Sequence, residues 1–202
     1  MSCTLHITAN IKQTILNQAF TLAQNIEDDL SVYKPNSFVS QINAQAGITA
    51  ITLPDLYVPL FIQAKEIAQK TEGLFDPTIG ILTQKSYSFG KSTAKVPSKT
   101  TLQKRQKLVN YQDLIINKNS IYLQKKGMVL DLGGIAKGFA VSQIMQFLQH
   151  SNATKVLVNL GGEIQTLGKE YTIGINHPRE NKLITTLKSS KALTSISTSG
   201  DY

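Results

Sequence analysis

"DLIINKNSIYLQKKGMVLDLGG" (Asp113–Gly134) is the stretch that decides the fold. Short apolar runs alternate in it with Asn and Gly turn residues. That pattern predicts a hairpin, Leu114–Ile116 with Ser120–Gln124, followed by a strand over Met128–Leu132. Gly133 and Gly134 break the strand. Ile135–Gln149 then predicts an amphipathic helix with Phe139, Ile144, Met145 and Leu148 inward. Downstream, "KVLVNLGGEI" predicts another strand ending at a Gly pair, and "EYTIGIN", "LITTLK" and "ALTSIST" predict three more.

Upstream the pattern is helical. Ile11, Ile15, Ala19, Leu22, Ile26 and Leu30 recur at spacings of three and four, so Ile11–Leu30 predicts a helix. A second is predicted from Pro54 and Asp55 to about Glu72, with Leu56, Leu60, Ala64, Ile67 and Thr71 on one stripe and Gly73 ending it. Ser31–Gly47 between them is turn-rich. Gly80–Pro97 has no clear period, and a short helix is predicted from about Ser98–Thr100 through Leu102–Leu108. Helices first and strands later favour an α+β fold, with a helical N-terminal half and a β-rich C-terminal half. A mixed or antiparallel sheet is expected rather than a doubly wound parallel one.

Composition narrows the classes. The net charge is +8 and the pI about 9.5, which suits an anionic ligand. The densest basic run, Lys91–Lys107, carries no interleaved aromatic residue, so a solvated polar face is expected there and no nucleic acid is expected as partner. No segment approaches the roughly 20 apolar residues of a membrane span. No signal peptide is visible ahead of Met1, so a cytoplasmic location is expected from the sequence as written. Cys3 is alone, which excludes an intramolecular disulfide or a cysteine-rich metal site. His6, His150 and His177 show no metal-ligand spacing.

The chemistry concentrates in "MVLDLGGIAKGFAV" (Met128–Val141). Its form is strand, Asp131, Gly-Gly, helix. A helix start offers unpaired N–H groups, and glycines let the backbone approach a ligand. Lys137 adds a mobile cation. These suit a phosphate or pyrophosphate. Asp131 does not; its partners are a ribose hydroxyl, a ring N–H or a hard cation. A nucleotide bound with a metal fits both halves. The alternative is a tight strand-to-helix turn capped by Asp131, with Lys137 in solvent. The Walker and dinucleotide glycine patterns do not match this spacing.

"VLDLGGIAKGFAV" resembles the signature of the ApbE family, the FAD:protein FMN transferases. Five further segments are similar to that family's motifs, in its order: "MSCTLHIT", "LSVYKPNSFVSQIN", "TEGLFDPTIGIL", "VLVNLGGEI" and "STSGDY". The resemblance covers essentially the whole chain, so 1–202 is expected to be a single ApbE-like domain. It implies an α+β fold, FAD as substrate and Mg²⁺ as cofactor. It also implies transfer of FMN to a Thr or Ser hydroxyl of a target flavoprotein, with AMP released. Non-catalytic FAD binding, or Mg²⁺-dependent FAD hydrolysis, are the alternatives. A homodimer is compatible with either.

The resemblance implies FAD contacts at Met1, Tyr33, Leu74, Phe75, Asp76, Asp131 and Lys137, and a backbone carbonyl at Gly134 for magnesium. No catalytic residue is implied by the motifs present. Read from the residues alone, Tyr33 serves equally as a helix-end packing residue, Phe75 as core, and Asp76 as a turn cap before Pro77. Asn159, Gly161 and Gly162 are expected to shape a strand end, and His177 to sit in a loop. The family's "His-Ile-x-Asp-Pro-x-Thr-Gly" segment, implied to supply a histidine and further magnesium ligands, has no counterpart before Tyr202. The C-terminal part of the domain is therefore expected to be missing, leaving an exposed sheet edge. Family members acting outside the cytoplasm give the alternative location, the periplasmic side of an inner membrane.

Overall fold

The structure, a computed structural model, describes residues 3–87 and 96–199. They divide into two compact units, Met1–Ile26 with Lys137–Tyr202, and Glu27–Ala136. Helices and antiparallel sheets are both present, so the fold is α+β.

The first unit is built on a four-stranded antiparallel sheet, in the order β1 (Leu5–Ala9), β5 (Val156–Leu160), β6 (Glu163–Leu167) and β9 (Thr194–Ser197). Val156, Val158 and Leu160 alternate along β5 and are buried, as period-two burial of one sheet face requires. Helix α6 (Ala136–His150) buries Ala140, Val141, Ile144, Met145 and Leu148. Phe139, expected inward, is only half-buried. Gln165 of β6 donates to Ser142 of α6 at 3.0 Å, tying helix to sheet. A separate hairpin, β7 (Thr172–Asn176) with β8 (Leu183–Lys188), completes the unit, and β8 is exposed along its length.

The sequence pattern ends a strand at the Gly pair, as β5 does, but misses β6 and β1. Gly161 and Gly162 do more than end β5. Leu160 pairs with Glu163, leaving a two-residue turn in which the glycines have φ +56° and +89°. Positive φ at both central positions is the twist a tight hairpin favours. Asn159 Oδ1 accepts from Gly162 N at 3.0 Å and steadies the turn.

The second unit starts within α1 (Gln13–Leu30), whose Ala19, Ile26 and Leu30 are buried as the stripe predicts. The turn-rich stretch after it holds a short helix, α2 (Phe38–Ala44), capped by Ser37 accepting from Ser40 N at 3.0 Å. Helix α3 (Val58–Lys70) begins later than predicted. Its buried stripe is Leu60, Phe61, Ala64 and Ala68, while Leu56 is exposed ahead of the helix. A three-stranded antiparallel sheet runs β2 (Ile51–Thr52), β4 (Ser120–Leu123), β3 (Leu114–Asn117). The β3–β4 hairpin is the predicted one, closed by Lys118 and Asn119. Helix α5 (Lys99–Gln106) carries Ser98 as its cap. Of the aperiodic stretch Gly80–Pro97, residues 88–95 lie outside the described residues; its start forms a short helical turn, α4 (Gly80–Leu82), running into a π-turn over Thr83–Tyr87.

Among the described residues, the strand predicted at Met128–Leu132 joins no sheet. It makes one isolated parallel bridge, Val129 to Ile79. Met128, Leu130 and Leu132 are nonetheless fully buried, and buried backbone must find partners. Asn43 supplies two: its Oδ1 accepts from Leu130 N at 2.6 Å and its Nδ2 donates to Leu130 O at 3.2 Å. Gln84 Nε2 adds a bond to the same carbonyl at 3.1 Å, and Asp131 N donates to Pro77 O at 2.8 Å. The apolar run looks like a strand because it is buried on all sides, but side chains take the place of a neighbouring strand.

Candidate functional site

The buried segment delivers Asp131 to the wall of a cavity of about 450 Å³ in the second unit. Besides Ile79 and the π-turn, three separate stretches line it: Tyr33 from the loop after α1, Leu74, Phe75 and Asp76 from the loop after α3, and Asp131, Gly133 and Gly134 from the turn before α6. Of the residues proposed from sequence, the structure thus gathers Tyr33, Leu74, Phe75, Asp76, Asp131 and Gly134. Met1 lies outside the described residues.

Close approach builds this wall. A Cβ at Gly80 would lie 2.7 Å from Val129 O and 2.8 Å from Leu130 O, so only glycine lets α4 lie against the segment. The Phe75 ring lies against Gly134, 3.3 Å from where a Cβ would stand. Tyr33 is 66% exposed and Leu74 95% exposed, two large side chains with apolar surface turned to solvent beside the cavity. Exposed apolar groups rimmed by polar ones mark surfaces that a ligand covers.

The two carboxylates differ. Asp76 is 8% exposed. Its Oδ1 accepts from Thr78 N at 2.8 Å and Thr78 Oγ1 at 2.7 Å, and its Oδ2 from Tyr111 N at 2.9 Å. Thr78 Oγ1 in turn accepts from Asn110 N at 2.9 Å. This carboxylate organises the Phe75–Thr78 loop. Asp131 is half-buried. Its Oδ1 accepts from Gly133 N at 2.9 Å and its Oδ2 from Thr83 Oγ1 at 2.6 Å. A carboxylate has about four acceptor directions, so each Asp131 oxygen keeps one for a ligand donor.

Thr83 and Gln84 line the cavity and were missed in the sequence. They lie in the π-turn, whose spacing follows neither helical nor strand periodicity. Such turns recur at functional sites, but the sequence offers no local sign of one here.

Lys137 belongs to the first unit and lines a different cavity, of about 760 Å³, with Asn159, Gly161, Gly162, Thr198 and residues 173–176 of β7. Its Nζ donates to Gly161 O at 3.4 Å and lies 3.7 Å from Glu163 Oε1. Glu163 Oε2 also accepts from Ser197 Oγ at 2.5 Å. His177 is a loop residue, its Nδ1 accepting from Arg179 N at 3.2 Å.

Among the described residues no three of His, Cys, Asp and Glu cluster as a closed metal site. The carboxylates that line the first cavity are those of Asp76 and Asp131. No helix among the described residues is long and apolar enough to cross a membrane.

An α+β fold with a cavity built on a Gly-Gly turn ahead of a helix defines the class. The profile of the ApbE family matches residues 1–202, and the chain belongs to that family. It is 33% identical to the FAD:protein FMN transferase of Klebsiella pneumoniae (strain 342) over 168 residues, which is 82% of this chain and 52% of that protein. Against the FAD:protein FMN transferase of Treponema pallidum (strain Nichols) it is 32% identical over 163 residues, 77% of this chain and 45% of the other. The chain therefore spans about half the length of the curated relatives it matches. Among solved structures it resembles the flavin transferase ApbE from Vibrio cholerae, with a TM-score of 0.87 at 24% identity, covering 100% of this chain and 69% of that one. The ApbE protein of Thermotoga maritima matches with a TM-score of 0.82 at 24% identity, over 93% of this chain and 63% of that one. These likenesses show the shared fold.

Proposed function

We propose that this chain acts in FAD:protein FMN transfer. It binds FAD at the Asp131 cavity and passes FMN to a Thr or Ser hydroxyl of a target flavoprotein, with AMP as the other product. The observation that carries the reading is convergence: in a chain of the ApbE family, three stretches far apart in sequence meet at one cavity. Those stretches are the ones whose motifs imply FAD contact.

Each group has a task that its chemistry suits. Tyr33 and Phe75 offer ring surface to a flavin, and Leu74 covers it. Asp131, an acceptor, takes a ring N–H or hydroxyl hydrogen. Gly133 and Gly134 let the chain run close to the ligand. Asp76 keeps the Phe75 loop in place. The acceptor hydroxyl oxygen bonds to the FMN phosphorus as the bridging P–O bond breaks. AMP leaves with the bridging oxygen, and the hydroxyl proton passes to solvent. Mg²⁺, held by the Gly134 carbonyl together with the ligand's phosphates and water, would neutralise charge on the pyrophosphate.

The test is to incubate the chain with FAD, Mg²⁺ and a flavoprotein domain bearing a Thr acceptor, following acceptor mass and AMP together. The expected result is FMN-labelled acceptor with an equal amount of AMP. AMP and free FMN without labelling would replace transfer with hydrolysis. Absence of FAD binding would overturn the reading altogether.

A further inference from the structure

We infer that Thr83 is a positioning residue for the ligand, acting through Asp131; the inference rests on the reading of the Asp131 cavity as the FAD site. The Thr83 hydroxyl donates to Asp131 Oδ2 at 2.6 Å, and Gly133 N holds Oδ1 at 2.9 Å. One bond leaves a carboxylate free to swing about its Cβ–Cγ axis. Two bonds, from opposite sides, define its plane and the directions of its remaining lone pairs.

Thr83 is itself held. It is the first residue of the π-turn, with its N donating to Ile79 O at 3.2 Å. The neighbouring Gln84 reaches Leu130 O at 3.1 Å. Hydroxyl and carboxylate are therefore fixed by the same contact between the π-turn and the 128–132 segment. A ligand donor meets an oriented acceptor, without the ordering cost a free side chain would add.

The experiment is a titration of FAD, with Mg²⁺ present, into the chain and its Thr83→Val, Thr83→Ser, Asp131→Asn and Thr83→Val/Asp131→Asn variants. Melting temperature is followed in parallel. Thr83→Val should weaken FAD binding about tenfold, the scale of one hydrogen bond to a charged group. Thr83→Ser, which keeps the hydroxyl, should stay within about twofold of the parent. In the Asp131→Asn background the valine should add less than about twofold, because the two changes remove one device. Equal loss with serine and valine, or the full tenfold loss in the Asp131→Asn background, would overturn the inference. So would parent-like affinity in Thr83→Val. A parent chain that binds no FAD would overturn the site reading, a distinct result, and the inference with it. If valine prevents folding, Thr83→Ala, which cannot overfill the space, takes its place with the same criteria.

Discussion

Two aspartates in one cavity wall show how burial and hydrogen bonding assign different work to the same side chain. Asp76 is buried, its Oδ1 bonded twice by Thr78 and its Oδ2 by Tyr111 N, whereas Asp131 is half-buried and takes one bond on each oxygen. Their substitutions should separate. Asp76→Ala leaves Thr78 and Tyr111 donors unpaired, and should lower stability by about 3 kcal/mol in urea unfolding. Asp131→Asn should keep the melting temperature within a few degrees and weaken FAD binding about tenfold. At this scale the sequence is legible in part. Asp before Pro announces a turn cap, and the bonds of Asp76 are those of such a cap. Nothing in a sequence says which of two acids keeps lone pairs for a ligand.

The elements around the cavity depend on close approach and on side chains that stand in for strands. Gly80→Ala would push a Cβ into the Val129 and Leu130 carbonyls, which cannot move aside as a side-chain tip can. It should cost both stability and FAD affinity, read by thermal unfolding and by titration. Asn43→Ala should lower stability by about 2 kcal/mol, through the loss of two bonds to the buried Leu130 backbone. A pH effect belongs to the junction of α1 and α3, where Tyr57 OH donates to Asp29 Oδ2 at 2.5 Å. Burial, then the bond to Asp29, pushes the phenol well above its ordinary pKa of 10.0. The folded state thus holds this proton more tightly than the unfolded chain. The stabilisation is complete below pH 10 and is lost as pH rises beyond it. Urea midpoints on either side of pH 10 should fall on the alkaline side, with a shallower fall in Tyr57→Phe.

Periodicity explains which elements were legible. The β3–β4 hairpin and α1 follow two-residue and 3.6-residue repeats over enough length to be read. Met128–Leu132 has the composition of a strand but pairs only through the bridge of Val129 to Ile79 among the described residues, since burial alone sets its composition. The π-turn has no repeat to detect. The Gly161–Gly162 turn was visible as a break, but its positive φ values, which fold β6 back on β5, appear only in three dimensions.

At the scale of the molecule, the net charge of +8 suits a polyanionic ligand such as FAD. The chain spans about half the length of its curated relatives, and the residues implied for flavin contact fall largely in the second unit. Chelation of Mg²⁺ should abolish FMN transfer, measured by acceptor mass, while FAD binding weakens but persists through the contacts of Tyr33, Phe75 and Asp131. The central claim is that the cavity walled by Asp131 is the FAD site. Its most direct test is a calorimetric titration of FAD into the parent chain beside Asp131→Asn. The account predicts saturable binding by the parent and about tenfold weaker binding by the variant at an unchanged melting temperature. Equal affinity in the two proteins, or no saturable binding by the parent, would contradict it.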